Sequence, residues 1–539
     1  MTDNSSPEQH ELTLDELQAA EHVIGLEFTE SERELMREGV QEHRKLYEAL
    51  RTVPLANNIP PAFNFDPHLP GMFFDRAQQP SVTSEQNVPP LPDNLEDVAF
   101  WPVTHLAHLI HTRQITSMAL TEMYLQRLKR YDPVLHCVVT LTEDLAVEQA
   151  QRADAEIADG HYRGPLHGIP WGVKDLLATR GIRTTWGAEP FQDQVIDFNA
   201  TVVERLEAAG AVLIAKLSVG ALAWGDVWFG GQTRNPWNPE EGSSGSSAGS
   251  AAATAAGLMG FAIGTETLGS IVSPCTVCRV TGLRPTFGRV SRHGSMALSW
   301  TMDKIGPICR TVEDCALVLA AIHGPDGHDL TVTDYPFNWN PSLDVSRLRI
   351  GYVKSAFDEE HDQKAQDDQA LEVLRSLGLS LIPISLPAYS TQVYEAVVML
   401  LEAEAAAYFD ELTRTNTDDL LARQIKDAWP NVFRQARLIP AVEYIQANRV
   451  RTLMMQDMAA LMTDIDVYVA PSFGGNNLIL TNLTGHPAVV IPNGVTDKGQ
   501  SSSVTFTGRL YDEATVLAVA KCYQDRTDFH HQRPAMLAS

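Results

Sequence analysis

The chain has 539 residues, 44% of them hydrophobic, and a formal net charge of −27. That apolar share supports a sizeable core and excludes wholesale disorder. The acidic balance argues against nucleic acid as a partner, because phosphate binding depends on clustered Lys and Arg.

The first residues are polar and acidic, with no basic segment and no apolar core, so no signal peptide is expected. No apolar run reaches the ~18–20 residues of a spanning helix, so no membrane partner is expected either. Six cysteines (137, 275, 278, 309, 315 and 522) are too few for a disulfide scaffold. Cys275 and Cys278 form a lone Cys-x-x-Cys with no second pair and no His at metal spacing. They read as reduced, part-buried thiols, and the whole pattern points to a reducing cytoplasm. No motif calls for a metal or a cofactor.

Residues 1–99 read as an N-terminal extension, helical and then proline-rich. Thr29 with Glu32 three positions on makes a capping box. Leu35, Met36, Val40, His43 and Leu46 follow at helical spacing. The Pro/Asn-rich stretch from Pro54 to Pro92 excludes long regular elements. Its Phe63, Phe65, Met72, Phe73 and Phe74 mark it as an arm laid against the main body.

From about residue 100 the pattern alternates. Helices are predicted over Ser117–Tyr131, Glu143–Gly160 and Ala200–Ala209, the last stopped by Gly210 and feeding a buried strand, Ala211–Leu217. Further strands are predicted at 261–264, Leu348–Val353, Leu379–Ile384, Asp466–Ala470 and Pro487–Ile491. Residues 385–462 form a mostly helical insert. This order predicts an α/β domain over 100–535, a mixed, largely parallel twisted sheet covered by helices on both faces.

Three residues stand out for chemistry. Lys174 ends His-Gly-Ile-Pro-Trp-Gly-Val-Lys (167–174). Ser246 lies in Gly-Ser-Ser-Gly-Ser-Ser-Ala-Gly-Ser (242–250), and Ser270 in Gly-Thr-Glu-Thr-Leu-Gly-Ser-Ile (264–271). A serine in a tight turn after a strand exposes its hydroxyl, and amides bared at Gly269 can face a developing oxyanion. One such donor is worth roughly 3–4 kcal/mol of barrier. Serine needs an adjacent base, and lysine serves only when neutral, which burial favours. Asp175 beside Lys174 would oppose that if it faced the amine; the sequence leaves this open. Ser246 is the candidate to relay the proton.

Plainer readings exist for each. A Gly/Ser stretch is most often a linker, but this one runs into an Ala-rich helical block. A phosphate-cradling loop would need a lysine and a Gly spacing that 242–250 lacks. Trp224, Trp228, Phe229 and Trp300 are candidates for a substrate pocket, or simply core.

The ordered set resembles the amidase signature family, whose Lys, relay Ser and nucleophile Ser fall here on Lys174, Ser246 and Ser270. The resemblance implies a cis peptide at the relay serine and an oxyanion hole from the N–H groups of Thr267, Leu268, Gly269 and Ser270. It extends through Thr233-Arg-Asn-Pro-Trp, Thr281-Gly-Leu-Arg-Pro-Thr, Asp303-Lys-Ile-Gly-Pro and Gly508-Arg-Leu-Tyr-Asp-Glu-Ala-Thr. Glu266, Leu268, Val272 and Ala248 depart from the common pattern, in a form similar to the branch of bacterial peptide amidases. What it implies is a cofactor-free hydrolase of small-molecule amides, working through an acyl-enzyme and releasing ammonia or an amine. Alternatives are the glutaminase-type subunit of a tRNA-dependent amidotransferase, a carboxylesterase or urethane hydrolase, and a non-catalytic scaffold. The N-terminal helices are candidates for a homodimer contact.

Overall fold

The computed structural model describes residues 11–53, 59, 61–85 and 87–535, with backbone only at 47–50. Eleven strands form the central sheet among these residues. In chain order they are β1 (Val138–Leu141), β2 (Pro170–Lys174), β3 (Val212–Leu217), β4 (Phe261–Glu266), β5 (Thr281–Arg284) and β6 (Lys304–Cys309). They continue with β7 (Ile350–Val353), β8 (Leu381–Ile384), β9 (Val467–Pro471), β10 (Ala488–Val495) and β11 (Ser501–Gly508). Their order across the sheet is β1-β3-β2-β4-β6-β5-β10-β11-β9-β7-β8.

The sheet is mixed. Parallel pairing occupies two zones, β3-β2-β4 and β9-β7-β8. The six pairs elsewhere are antiparallel. For one of these pairs the reason is connection length: β10 and β11 are joined by residues 496–500, and so short a link closes only an antiparallel pair. Between β2 and β3 the chain runs through the helix Thr201–Ala208 before returning parallel. Every residue of β2, β3, β4 and β6 is buried, so both faces of the sheet are covered there.

At the N-terminus, helix α1 (Leu14–Ile24) opens on a Thr13–Glu16 capping box that the sequence reading passed over. Helix α2 (Glu30–Arg51) opens on the expected one, with Thr29 N–H 2.7 Å from Glu32 Oε2. Arg33 on α2 pairs with the buried Glu21 on α1 at 2.9 Å. The described parts of the segment that follows touch the body at some points, while Phe63 and Phe73 are exposed. Val82 N–H donates to Trp339 O at 3.0 Å, and Phe65 meets Phe287 edge-on at 5.0 Å.

The insert is helical, with α3 (Thr391–Tyr408), the helix Trp429–Ala436 and α4 (Ala441–Asp464). Among the described residues no helix is long and apolar enough to cross a membrane. Cys137, Cys275, Cys278, Cys309 and Cys315 are buried free thiols.

Candidate active site

The site forms at the carboxyl ends of two neighbouring parallel strands. Lys174 is the last residue of β2, and Val173 pairs with Ile263 of β4. The chain leaving β4 carries Thr267 to Ser270, and crevices at such strand ends are where α/β sheets place ligands. The serine-rich loop runs into the helix Ala248–Ala255.

Lys174 has no exposed surface, and its Nζ is ringed by oxygen atoms. Ser246 Oγ lies at 2.9 Å, Ser247 Oγ at 3.0 Å, Thr265 Oγ1 at 2.8 Å and Thr265 O at 3.3 Å. Burial brings its pKa down to about 7, while Asp303 and Glu266 at longer range oppose the shift. Asp175 does not face it. That carboxylate accepts from Thr185 N–H at 2.9 Å and lies 3.2 Å from Lys216 Nζ. Asp175 lies just past the strand, in the turn, with its carboxylate on Thr185 and Lys216.

Ser246 is buried behind a cis Gly245–Ser246 peptide. A Cβ at position 245 would stand 1.8 Å from Gly225 O, so only glycine admits this close approach. Ser270 is partly exposed, and its carbonyl accepts from Ser247 N–H at 3.2 Å, which ties its turn to the serine loop. Gly269 takes φ 93°, while Leu268 stays out of the left-handed region, so the extra side chain there sits on permitted backbone. Among the described residues nothing accepts from the N–H groups of Thr267, Leu268, Gly269 or Ser270. The next two, of Ile271 and Val272, both donate to Glu266 Oε2, at 2.8 and 2.9 Å.

Glu266 is the anchor of this turn, a role the sequence reading missed. Its other oxygen meets Arg284 Nη1 and Asn482 Nδ2, both at 2.8 Å. Burial raises its pKa, but Arg284 and the donors outweigh that and hold the carboxyl at about 2. Asp303 was also missed as a site residue. It accepts from Thr267 Oγ1 at 2.5 Å, and its enclosed setting pushes its carboxyl up.

The four aromatics part company. Trp300 lines a cavity of about 100 Å³ together with Asp303, Met296, His293 and Leu330. Trp228 packs on Phe229 at 4.9 Å, and Trp224 lies beneath the Arg423 guanidinium at 5.0 Å.

This architecture has known counterparts. The amidase family profile matches residues 119–477. One component of the glutamyl-tRNA(Gln) amidotransferase of Roseiflexus sp. (strain RS-1) is 36% identical over 468 residues, covering 78% of this chain and 95% of that protein. The putative amidase AmiD of Mycobacterium bovis is 35% identical over 480 residues, covering 84% and 99%. The solved peptide amidase of Stenotrophomonas maltophilia superposes with a TM-score of 0.72 at 30% identity, covering 81% and 98%. The chain belongs to the amidase signature family, hydrolases that act on the carbon–nitrogen bond of amides.

Proposed function

We propose that this chain hydrolyses small linear amides, C-terminal amides among them, with Ser270 as nucleophile, Ser246 as proton relay and Lys174 as base. The observation that carries this is the 2.9 Å contact from Lys174 Nζ to Ser246 Oγ, made by an amine that burial brings to a pKa of about 7. A base with a pKa near the working pH is both unprotonated and strong enough to matter.

Ser270 Oγ attacks the amide carbon, and its proton passes through Ser246 to Lys174. The oxyanion rests against the unoccupied N–H groups of Thr267 to Ser270. Collapse breaks the C–N bond as the proton returns to nitrogen, and ammonia or a small amine leaves. Water, deprotonated by the same relay, then attacks the acyl-enzyme and frees the acid and Ser270. Trp300 is the aromatic best supported as a wall for the acyl group, since its cavity is also lined by Asp303, the partner of Thr267. Esters, as easier acyl donors, are expected to react too.

A second reading, a glutaminase-type subunit, is favoured by the 36% identity to the amidotransferase component. The acidic charge, the extension over residues 1–99 and Val272 weigh against it. The test is turnover of a panel of linear amides by the chain purified alone. Turnover that Ser270→Ala abolishes supports the first reading. Activity only after copurification with further protein components and tRNA would replace it with the second.

A further inference from the structure

The turn that carries Thr267 is tied by Asp303 to a segment that residues of the helical insert hold from behind. Asp303 Oδ1 accepts from Thr267 Oγ1 at 2.5 Å. Its other oxygen accepts from the N–H groups of Leu298 at 2.7 Å and Ser299 at 3.0 Å. The segment 298–303 is therefore fastened to the turn through one carboxylate.

The same segment is clamped from α3 and α4. Glu404, buried on α3, accepts from Ser299 Oγ at 2.7 Å, Thr301 N–H at 3.0 Å and Thr301 Oγ1 at 2.8 Å. Tyr444 on α4 donates to the same carboxylate at 3.0 Å. Arg451, also on α4 and buried, donates to Thr301 O at 2.8 Å and Thr301 Oγ1 at 2.9 Å. Its guanidinium stands 3.5 Å from the Phe65 ring centroid, so the N-terminal arm closes the clamp from outside. Ser299 is the joint: its N–H goes to Asp303 and its hydroxyl to Glu404.

We propose that Asp303 and Glu404 are positioning residues for amide hydrolysis, Glu404 fixing the 299–301 segment and Asp303 passing that order to the Thr267 amide. The inference rests on the oxyanion role proposed above. Neither carboxylate touches the reacting atoms. Their effect is geometric, because oxyanion donors act only when held at hydrogen-bond distance from the developing charge. A displacement of about 1 Å from a change away from the chemistry can cost about 100-fold.

The experiment measures kcat and KM for the parent, Asp303→Asn, Thr267→Val, their double variant and Glu404→Gln, each with its Tm. Labelling of parent Ser270 by a fluorophosphonate is scored first, and an unlabelled parent overturns both this inference and the reading beneath it. With a labelled parent, Asp303→Asn is expected to lower kcat about 10- to 100-fold with KM within about twofold. The double variant is expected to lose no more than the worse single one, since both break one contact. Glu404→Gln is expected to lower kcat about 5- to 10-fold in the same pattern. Unchanged kcat in Thr267→Val and Glu404→Gln, or additive losses in the double variant, would overturn the proposal alone. Should Asp303→Asn fail to fold, Thr267→Val and Glu404→Gln still decide it.

Discussion

Lys174 and Asp175 are sequence neighbours that answer to different partners. Lys174 Nζ sits among three hydroxyls with Ser246 Oγ at 2.9 Å, while Asp175 lies 3.2 Å from Lys216 Nζ. The carboxylate that would have kept Lys174 charged is spent on a second lysine. What remains in contact with Lys174 is neutral oxygen, and burial favours the free amine against the longer-range pull of Asp303 and Glu266.

Activity is therefore expected to rise with pH. Lys174 is protonated below about pH 7 and free above it, so kcat/KM for a neutral amide climbs through that region and levels off. A pH–rate profile in a constant ionic-strength buffer measures this. A profile flat between about pH 5 and 9 would remove lysine as the base.

Lys174→Met is expected to abolish turnover, by roughly 10³-fold or more, while leaving the fold intact. Its effect on stability has a sign that pH reveals. In the folded chain the amine titrates near 7, against an ordinary value of 10.5, so the unfolded chain binds the extra proton between those limits. The parent thus loses stability as pH falls from about 10.5 to about 7, and the methionine variant does not. Urea midpoints measured at pH 10 and pH 7 test this, with the gap in favour of the variant widening at the lower pH.

The two serines are expected to differ in what they leave behind. Ser270→Ala removes the atom that forms the acyl bond, so no covalent intermediate accumulates with any substrate. Ser246→Ala keeps that atom and loses the relay, an acid–base defect of about 10²- to 10⁴-fold. A slow but detectable acyl-enzyme in the Ser246 variant, seen by stopped-flow with an activated ester, checks the assignment of roles.

Glu266 predicts an acid-sensitive turn. Its folded carboxyl titrates near 2, against an ordinary value of 4.5, so its contribution is complete above about pH 4.5 and fades as pH falls towards 2. Glu266→Gln leaves Arg284 buried without its counter-charge, a loss of about 3–5 kcal/mol. Thermal unfolding between pH 7 and pH 3 is expected to show a lower Tm for the variant at pH 7. The difference is expected to shrink towards pH 3.

The sequence carried the parts of this picture that depend on near neighbours. Thr29 and Glu32 cap a helix because three residues separate them, and the apolar run after Gly210 forms the buried strand β3, whereas the short strand ending at Lys174 went unpredicted. Strand direction was less legible, since the antiparallel centre depends on which strands meet, as when Lys304 pairs with Glu266. The supports of the site were hidden for the same reason. Thr267 to Asp303 spans 36 positions and Ser299 to Glu404 spans 105, so no local pattern announces either contact. Nor could composition tell whether Asp175 faced Lys174 or Lys216; only the pairing of β2 with β3 decides it.

The central claim is that Ser270 is the activated nucleophile. Intact mass after treatment with a fluorophosphonate, parent beside Ser270→Ala, tests it most directly. The account predicts one stoichiometric adduct on the parent and none on the alanine variant. An adduct that persists in Ser270→Ala, or a well-folded parent that takes none, would contradict it.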